Sequence, residues 1–163
     1  MKKPKLLIVD DDEDLRTQMK WALAQDYTVL LAEDRASAAA VMRKEKPAVV
    51  TLDLGLPPLP AGVEEGFAVL DEILNEYGQT KVIIITGRGE KENALRAVEK
   101  GAYDFFYKPI QIDELKVVLS RAFHLSQLEQ EQRVLQQRSV RSRAAAAMTT
   151  LTATSRWNRA PRP

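Results

Sequence analysis

Five short apolar runs are the feature that most limits what this chain can fold into. Each run is rich in Val, Ile or Leu, or in Phe in the last case, and the stretches between them carry apolar residues at three- and four-residue spacing. Buried strands alternating with amphipathic helices are typical of a parallel sheet covered by helices on both faces. The predicted strands are Lys5 to Val9, Thr28 to Ala32, Ala48 to Leu54, Lys81 to Thr86 and Asp104 to Lys108. The pattern therefore predicts an α/β domain with five parallel strands.

Four amphipathic stretches between the strands predict helices. Their bounds are Glu13 to Gln25, Arg35 to Lys46, Gly66 to Tyr77 and Glu90 to Lys100. Gly101 follows the fourth, where a helix commonly closes with a left-handed residue. Asp113 is expected to cap a fifth helix, with Glu114 in its first turn. The repeated unit is a strand followed by a helix.

The fifth helix is expected to continue past a domain that covers residues 1–123. Its apolar residues keep a three-to-four residue spacing through a linker of residues 124–138. They are Leu115, Val118, Ala122, Leu125, Leu128 and Leu135. Because the heptads are few and Gln132 is polar, two interpretations stay open, a dimerising coiled coil and a single helix packed on its own domain.

Residues 139–163 have a different character, with Ala, Thr, Ser and Arg and no strand pattern. Apart from a short helical extension at Ala144 to Met148, we expect them to be disordered, or to be a non-native tail. They contain five arginines and no Asp, Glu or Lys, whereas residues 1–138 hold 19 basic and 23 acidic residues. Without interleaved aromatic residues or a recognition motif, this charge does not predict direct nucleic-acid binding.

Composition excludes several classes of site. The chain has no Cys, which rules out a disulfide framework, a thiolate metal site and thiol catalysis. Its single His excludes any site that needs two imidazoles from one chain. No apolar run approaches the roughly 20 residues of a membrane span, so we expect a soluble, cytoplasmic protein without a membrane partner.

Polar residues gather where the predicted strands end. Asp10 and Asp11 follow the first strand, Asp53 ends the third, Thr86 ends the fourth and Lys108 ends the fifth. In open parallel sheets, sites form at the carboxyl ends of the strands. With the strand order 2-1-3-4-5, these side chains are expected to share one pocket.

The residue types in this pocket suit phosphoryl chemistry. Three carboxylates close together repel one another, and a divalent cation such as Mg²⁺, which prefers oxygen ligands, resolves that conflict. Lys108 and Thr86 could bind phosphoryl oxygens, since phosphoryl transfer is catalysed mostly by positioning and charge neutralisation. Asp53 would then have a carboxylate free to act as the nucleophile.

Four sequence strings resemble the receiver domains of two-component response regulators. They are Leu7 to Asp12, Val50 to Pro57, Ile84 to Gly87 and Gly101 to Pro109. The resemblance covers residues 5 to about 123, and it implies the flavodoxin-like (βα)5 doubly wound fold with strand order 2-1-3-4-5, here with an extended C-terminal helix.

The resemblance implies a phosphoacceptor and a metal site. The residue that matches Asp53 accepts a phosphoryl group from a phosphohistidine on a sensor histidine kinase. Asp11, Asp53 and the Gly55 backbone carbonyl would hold Mg²⁺, and Asp10 would act chiefly through metal-bound water. Such a domain is not an enzyme with a separate substrate. It catalyses its own phosphotransfer and dephosphorylation.

The resemblance also implies a switch. Thr86 and Lys108 would contact the phosphoryl group, and Phe105 would turn inward as Thr86 moves. Phosphorylation would control homodimerisation through helix 4, strand 5, helix 5 and the linker helix.

One branch of the family is most similar, the sigma-54-dependent transcriptional activators, including those of exopolysaccharide and PEP-CTERM gene clusters. Two features depart from most receivers, a longer loop at residues 58–65 and Gly87 where Ala is common. No Gly-x-x-x-x-Gly-Lys-Ser/Thr sequence is present, so we assign neither ATPase activity nor specific DNA reading to these residues.

Two other functions are alternatives. A haloacid-dehalogenase-like phosphatase would use Asp10 as the nucleophile and Asp12 as the acid–base residue, although position 14 is Asp where Thr or Val is expected. A dimerising scaffold would use the same fold without phosphorylation.

Overall fold

A computed structural model describes residues 2–58, 62–87 and 89–157, with side chains described through Thr149. The strands are β1 (Lys5–Val9), β2 (Thr28–Ala32), β3 (Val49–Asp53), β4 (Lys81–Thr86) and β5 (Asp104–Tyr107). The helices are α1 (Glu13–Leu23), α2 (Arg35–Glu45), α3 (Glu64–Glu76), α4 (Lys91–Lys100) and α5 (Ile112–Trp157). The predicted alternation of strands and helices is confirmed, with bounds that differ by no more than two residues up to the end of α4.

The five strands form one parallel sheet in the order β2-β1-β3-β4-β5. This is the predicted flavodoxin-like order. The strand β2 lies on one side of β1, and the later strands are added on the other side, beginning with β3. Ile8 of β1 pairs with Thr51 of β3 at this change of strand order. Because β1 and β3 are neighbouring parallel strands, their carboxyl ends lie side by side at one edge of the sheet.

Each face of the sheet carries its own apolar core, because alternate strand residues point to opposite faces. On one face, Leu7, Leu52 and Ile84 pack with residues of α2, α3 and α4. On the other face, Ile8 and Ile83 pack with residues of α1 and of the start of α5. The strands β3 and β4 are buried almost throughout, which explains why most of their residues are Val, Ile or Leu.

A close approach of backbones fixes α3 beside β3. Gly66 lies so near Leu54 that a Cβ at this position would be 2.4 Å from the Leu54 Cα and carbonyl oxygen. Real Cβ atoms do not come this close to backbone, so the position requires glycine. The contact places the first turn of α3 directly against the residue that follows Asp53.

Two predictions about helix ends have different outcomes. Gly101 ends α4 with a φ of +123°, as its position predicted, and its backbone N–H donates to the carbonyls of Ala97 and Val98. The prediction for Asp113 is wrong, because α5 begins at Ile112 and Asp113 therefore lies inside the first turn. A carboxylate there still favours the helix through its interaction with the helix dipole.

The C-terminal segment is helical over a longer range than the short extension at Ala144 to Met148 that the sequence predicts. The helix continues through residues 139–157, and residues 158–163 lie outside the described residues. The physical reason is that no Gly or Pro occurs between Ile112 and Trp157, and that Ala144 to Ala147 have the highest intrinsic helix propensity. The chain divides into two compact units, Met1–Ser126 and Gln127–Pro163. Among the described residues, every helix is too short or too polar to serve as a membrane-spanning segment.

Candidate functional site

Two carboxylates and one ammonium group lie together where β1, β3 and β5 end. The Nζ atom of Lys108 is 3.1 Å from Asp53 Oδ2 and 3.3 Å from Asp10 Oδ2. The Asp10 side chain is 3% exposed, that of Asp53 is 10% exposed, and that of Lys108 is 32% exposed. Three of the residues expected to share a pocket are therefore in direct contact, and Lys108 is the one that reaches solvent.

Backbone N–H groups hold the two buried carboxylates. Asp12 donates to Asp10 Oδ1 at 2.9 Å, and Gly55 donates to Asp53 Oδ1 at 3.1 Å. Each carboxylate therefore has one oxygen bound to the main chain and the other facing Lys108. This leaves both side chains oriented by the loops that follow their strands.

Arg16 supports the same place from outside the predicted set. Its Nη1 donates to the Asp10 backbone carbonyl at 2.6 Å, and its Nη2 lies 3.8 Å from Glu33 Oε2. The guanidinium thus ties the first turn region of α1 to the end of β1. Its position in the sequence does not indicate this role, because an arginine on an amphipathic helix is usually a solvated surface group.

The local electrostatics favour a further cation. Burial raises the pKa of the Asp10 carboxyl to about 6, and the charge of Asp53 adds to this shift, while the Asp12 N–H and Lys108 oppose it. Burial by itself lowers the pKa of Lys108, but the carboxylates of Asp53 and Asp10 outweigh it and raise that pKa above its usual value. A single ammonium therefore leaves part of the carboxylate charge uncompensated.

The donor set fits a hard divalent cation. Carboxylate oxygens of Asp10, Asp11 and Asp53 all lie within 4.8 Å of one another. Asp11 is exposed whereas the other two are buried, so the cluster opens toward solvent on one side. Oxygen ligands with room for water are what Mg²⁺ prefers. This makes the group a candidate metal centre.

Thr86 reaches the site through its backbone, while its side chain points elsewhere. The Lys108 backbone N–H donates to the Thr86 carbonyl at 2.7 Å, which joins the end of β5 to the end of β4. The Thr86 hydroxyl, on a residue that is 1% exposed, donates to Glu90 Oε2. Glu90 is a second residue that sequence analysis missed, because a Glu before a helix is expected to interact with the helix and not with a strand.

Phe105 lies beside the site without contacting the acidic cluster. It is half-buried on β5, an edge strand, and pairs with Ile84 of β4. Its ring contacts that of Tyr107 edge-on, with 5.4 Å between ring centroids. It also packs against the core that contains residues of α4. The structure therefore places Phe105 on the edge strand, on the face of the sheet whose core includes residues of α4.

The acidic residues that follow Asp11 stabilise the start of α1. Asp12 is the N-cap of α1, where its Oδ1 accepts hydrogen bonds from the N–H groups of Asp14 at 3.0 Å and Leu15 at 3.2 Å. Glu13 and Asp14 lie in the first turn. This engagement of Asp12 leaves little support for the acid–base role that a phosphatase would require of it.

Comparison with known proteins points to one family. The family model described as "Response regulator receiver domain" matches residues 6–120. The nitrogen assimilation regulatory protein NtrX of Azorhizobium caulinodans is 34% identical over 133 residues, which is 81% of this chain and 29% of that protein. The regulatory protein AtoC of Escherichia coli is 31% identical over 82% of this chain and 28% of its own length. This chain thus spans less than a third of either relative.

Solved structures agree with the sequence comparison. A crystal structure of NtrX from Brucella abortus superposes with a TM-score of 0.73 at 34% identity, covering 82% of this chain and 29% of that one. The receiver domain of a putative LuxO repressor protein from Vibrio parahaemolyticus gives a TM-score of 0.71 at 32% identity, covering 78% of this chain and 95% of that one. The second match is itself a single domain, so the similarity corresponds to a whole domain.

Proposed function

The chain belongs to the response regulator receiver domain family, and from that premise we propose that it is a phosphoacceptor switch whose acceptor is Asp53. The observation that carries the proposal is the contact of the Asp53 carboxylate with Lys108 at 3.1 Å, inside a cluster with Asp10 and Asp11. The proposed donor is a phosphohistidine on a sensor histidine kinase. The proposed domain covers residues 1–123, with 124–138 as its linker.

The chemistry proposed for Asp53 is a direct displacement. An oxygen of its carboxylate attacks the phosphorus atom of the phosphohistidine, and the bond between phosphorus and the imidazole nitrogen breaks. The imidazole leaves with the electron pair and takes up a proton. The product is an acyl phosphate on Asp53, which water later hydrolyses.

Lys108 and the Gly55 N–H have separate tasks in this step. The ammonium, already 3.1 Å from Asp53, neutralises charge on the phosphoryl oxygens, and its pairing with Asp53 orients the carboxylate. The Gly55 N–H holds the other oxygen of Asp53. Positioning of this kind supplies most of the catalysis in phosphoryl transfer.

A magnesium ion is proposed to complete the site. Asp10, Asp11, Asp53 and the Gly55 carbonyl would hold it, and when bound it would neutralise charge on the phosphoryl oxygens. The geometry supports this assignment, because carboxylate oxygens of Asp10, Asp11 and Asp53 that lie within 4.8 Å of one another repel, and a divalent cation relieves that repulsion.

The proposed output is a change in association between copies of the chain. Leu95 and Val98 on α4 are 46% and 39% exposed, which leaves an apolar surface on the helix next to β5. Thr86 and Phe105 would transmit the change from Asp53 to this surface. In a transcriptional activator that contains this domain, the change in association would control transcription through effector domains outside residues 1–163.

Intact mass spectrometry tests the proposal. The purified chain is treated with a small-molecule phosphodonor, with and without Mg²⁺, beside Asp53→Asn and the exposed control Asp26→Asn. We expect one added phosphoryl group in the wild type and in Asp26→Asn, only with Mg²⁺, and none in Asp53→Asn. A folded wild type that gains no mass would refute the proposal and favour the scaffold. Mass gain that survives in Asp53→Asn would refute the acceptor assignment.

A further inference from the structure

The Thr86 side chain is already committed to a partner in this structure. Its hydroxyl donates to Glu90 Oε2, and Thr86 is 1% exposed, so solvent has little access to the donor. A hydroxyl has only one proton to donate. While that proton is held by Glu90, it is not available to a phosphoryl oxygen on Asp53.

Glu90 is placed to hold Thr86 by a short turn between β4 and α4. The Glu90 N–H donates to the Gly87 carbonyl at 3.3 Å, which brings the chain back toward the strand end. A Cβ at Gly87 would lie 3.9 Å from the Glu90 carboxyl carbon, so this side chain lies alongside the end of β4. The turn thus directs the partly exposed Glu90 carboxylate toward the end of the strand.

The same residue begins α4 but does not cap it. Glu90 is the N-cap residue of that helix, and its side chain makes no capping hydrogen bond. Its backbone carbonyl accepts the first helical bond, from the Ala94 N–H at 3.1 Å. The side chain of an N-cap residue normally satisfies a free N–H of the first turn. Here the carboxylate is used on Thr86 instead.

From these contacts we propose that Glu90 is a latch, a positioning residue that holds Thr86 in the unphosphorylated state and is displaced when the acceptor is phosphorylated. This inference rests on the proposed function of Asp53. The phosphoryl oxygens and Glu90 compete for one proton, so each weakens the other. Because Glu90 is the residue from which α4 starts, its release also frees the beginning of that helix.

The latch makes the unphosphorylated and phosphorylated states differ in the hydrogen-bond partner of Thr86. A ligand can shift a conformational equilibrium only through unequal affinity for the two states. The Thr86–Glu90 bond is present in one state and a bond from Thr86 to the phosphoryl group in the other. Removing Glu90 should therefore favour the second state before any phosphate is bound, and raise the affinity for a phosphoryl mimic.

The test measures the affinity of the full chain for beryllofluoride, a phosphoryl mimic, with Mg²⁺ present. We expect Glu90→Ala to lower the Kd about tenfold, the size of effect that one hydrogen bond to a charged group can have. The matched control is Glu92→Ala, which removes an exposed carboxylate from the first turn of the same helix. This control should leave the Kd unchanged.

Two further variants separate a hydrogen bond from simple charge repulsion. Glu90→Gln loses the charge but keeps an oxygen that accepts from Thr86, so its Kd should stay closer to that of the wild type than to that of Glu90→Ala. In a Thr86→Val background, which has no hydroxyl, Glu90→Ala should no longer change the Kd. In a Thr86→Ser background, which keeps the hydroxyl, the change should return.

Each outcome decides between the proposals. If the wild type binds beryllofluoride and gains phosphate but Glu90→Ala binds no more tightly, the latch is wrong and the phosphoacceptor stands. The latch is also wrong if Glu92→Ala or Glu90→Gln tightens binding as much as Glu90→Ala does, or if the effect survives in Thr86→Val. A folded wild type that neither binds beryllofluoride nor gains phosphate would instead overturn the proposed function itself.

Discussion

At the scale of single residues, Lys108 is the group that allows two carboxylates to be buried side by side. Its ammonium contacts both Asp10 and Asp53, and the main-chain N–H groups of Asp12 and Gly55 bind the remaining oxygens. The single positive charge of Lys108 does not neutralise two carboxylates, so the site favours a further cation. Asp11, the exposed member of the cluster, is where a metal ion can be tested without disturbing the buried residues.

Replacing Asp11 with Ala should remove the response to Mg²⁺ and leave the metal-free protein about as stable as the wild type. A ligand that binds only the folded state raises stability, by about 2.7 kcal/mol at a concentration 100 times its Kd. Thermal unfolding with and without Mg²⁺ measures this as a shift in Tm. The control is Asp14→Ala, which removes an exposed acid from the first turn of α1. A full Tm shift in Asp11→Ala would show that this carboxylate is not a ligand.

At the scale of helices and strands, α2 begins with an N-cap whose carboxyl group titrates in acid. Its N-cap, Asp34, accepts the Ser37 N–H at 2.8 Å, and the Ser37 hydroxyl in turn accepts the Asp34 N–H at 3.2 Å. The side-chain and backbone hydrogen bonds from Ser37 lower the pKa of Asp34 below its usual value. The charged form therefore contributes to the stability of the folded state.

Asp34→Ala should destabilise the protein by about 1 kcal/mol at neutral pH, the usual cost of losing such a cap. Because the folded-state pKa is the lower one, the contribution is complete above the ordinary value of about 3.9. It is lost as the pH falls through the folded-state value. Urea unfolding followed from pH 7 to about pH 2 should show the wild type and Asp34→Ala converging only below the ordinary pKa of about 3.9. Asp34→Asn, a neutral cap, should not lose this contribution in acid; a wild-type advantage over Asp34→Ala that is constant with pH would contradict the account.

The approach of α3 to β3 gives a second prediction about an element. Gly66→Ala places a Cβ 2.4 Å from Leu54 backbone atoms, and the helix must move to relieve it. We expect a loss of about 1–3 kcal/mol, as for other overpacked sites. Gly78→Ala is the matched control, because its Cβ would meet only the Leu74 carbonyl oxygen, at an ordinary 3.5 Å. Equal stabilities of the two variants in urea unfolding would show that α3 can shift freely.

The elements also show what the sequence could predict. The apolar runs gave β1, β2 and β4 with their observed bounds, because a buried strand must be apolar on both faces. The positions of Asp10, Asp53 and Lys108 followed from the rule that parallel strands end at one edge. The bond between Thr86 and Glu90 could not be predicted, since it depends on how the turn at Gly87 aims one side chain. Within residues 139–157 the sequence predicts only the short extension at Ala144 to Met148, because the Ala, Thr, Ser and Arg composition favours disorder, yet no Gly or Pro in this range ends the helix.

At the scale of the whole molecule, association is the property to measure. The described side chains of the second unit, from Gln127 onward, include several large exposed apolar groups. Leu135 is 63% exposed and Val140 is 64% exposed. A single helix with such residues gains stability when another helix covers them. This supports the dimerising alternative for the linker, with a second copy of the chain as the partner.

Leu135→Glu should weaken the dimer about tenfold or more, since a buried apolar contact is replaced by a charge. Gln137→Glu introduces the same charge at an exposed position two residues away and should have little effect. Sedimentation equilibrium, with and without beryllofluoride and Mg²⁺, gives the dissociation constants. A wild type that is monomeric under both conditions would favour the single-helix alternative. Equal weakening by both variants would show that net charge, and not the apolar contact, controls association.

The contact between Gly66 and Leu54 has a consequence for how such proteins diversify. It brings the chain back to the same place however many residues intervene after Pro57, and doubling a loop's length costs only about 0.6 kcal/mol in closure entropy. Insertions between these two residues, such as the longer loop that the family resemblance implies at residues 58–65, are therefore expected to be gained or lost without moving Asp53. We expect this segment to be where related chains drift apart in length, so that partners can be exchanged during evolution while the acceptor keeps its chemistry.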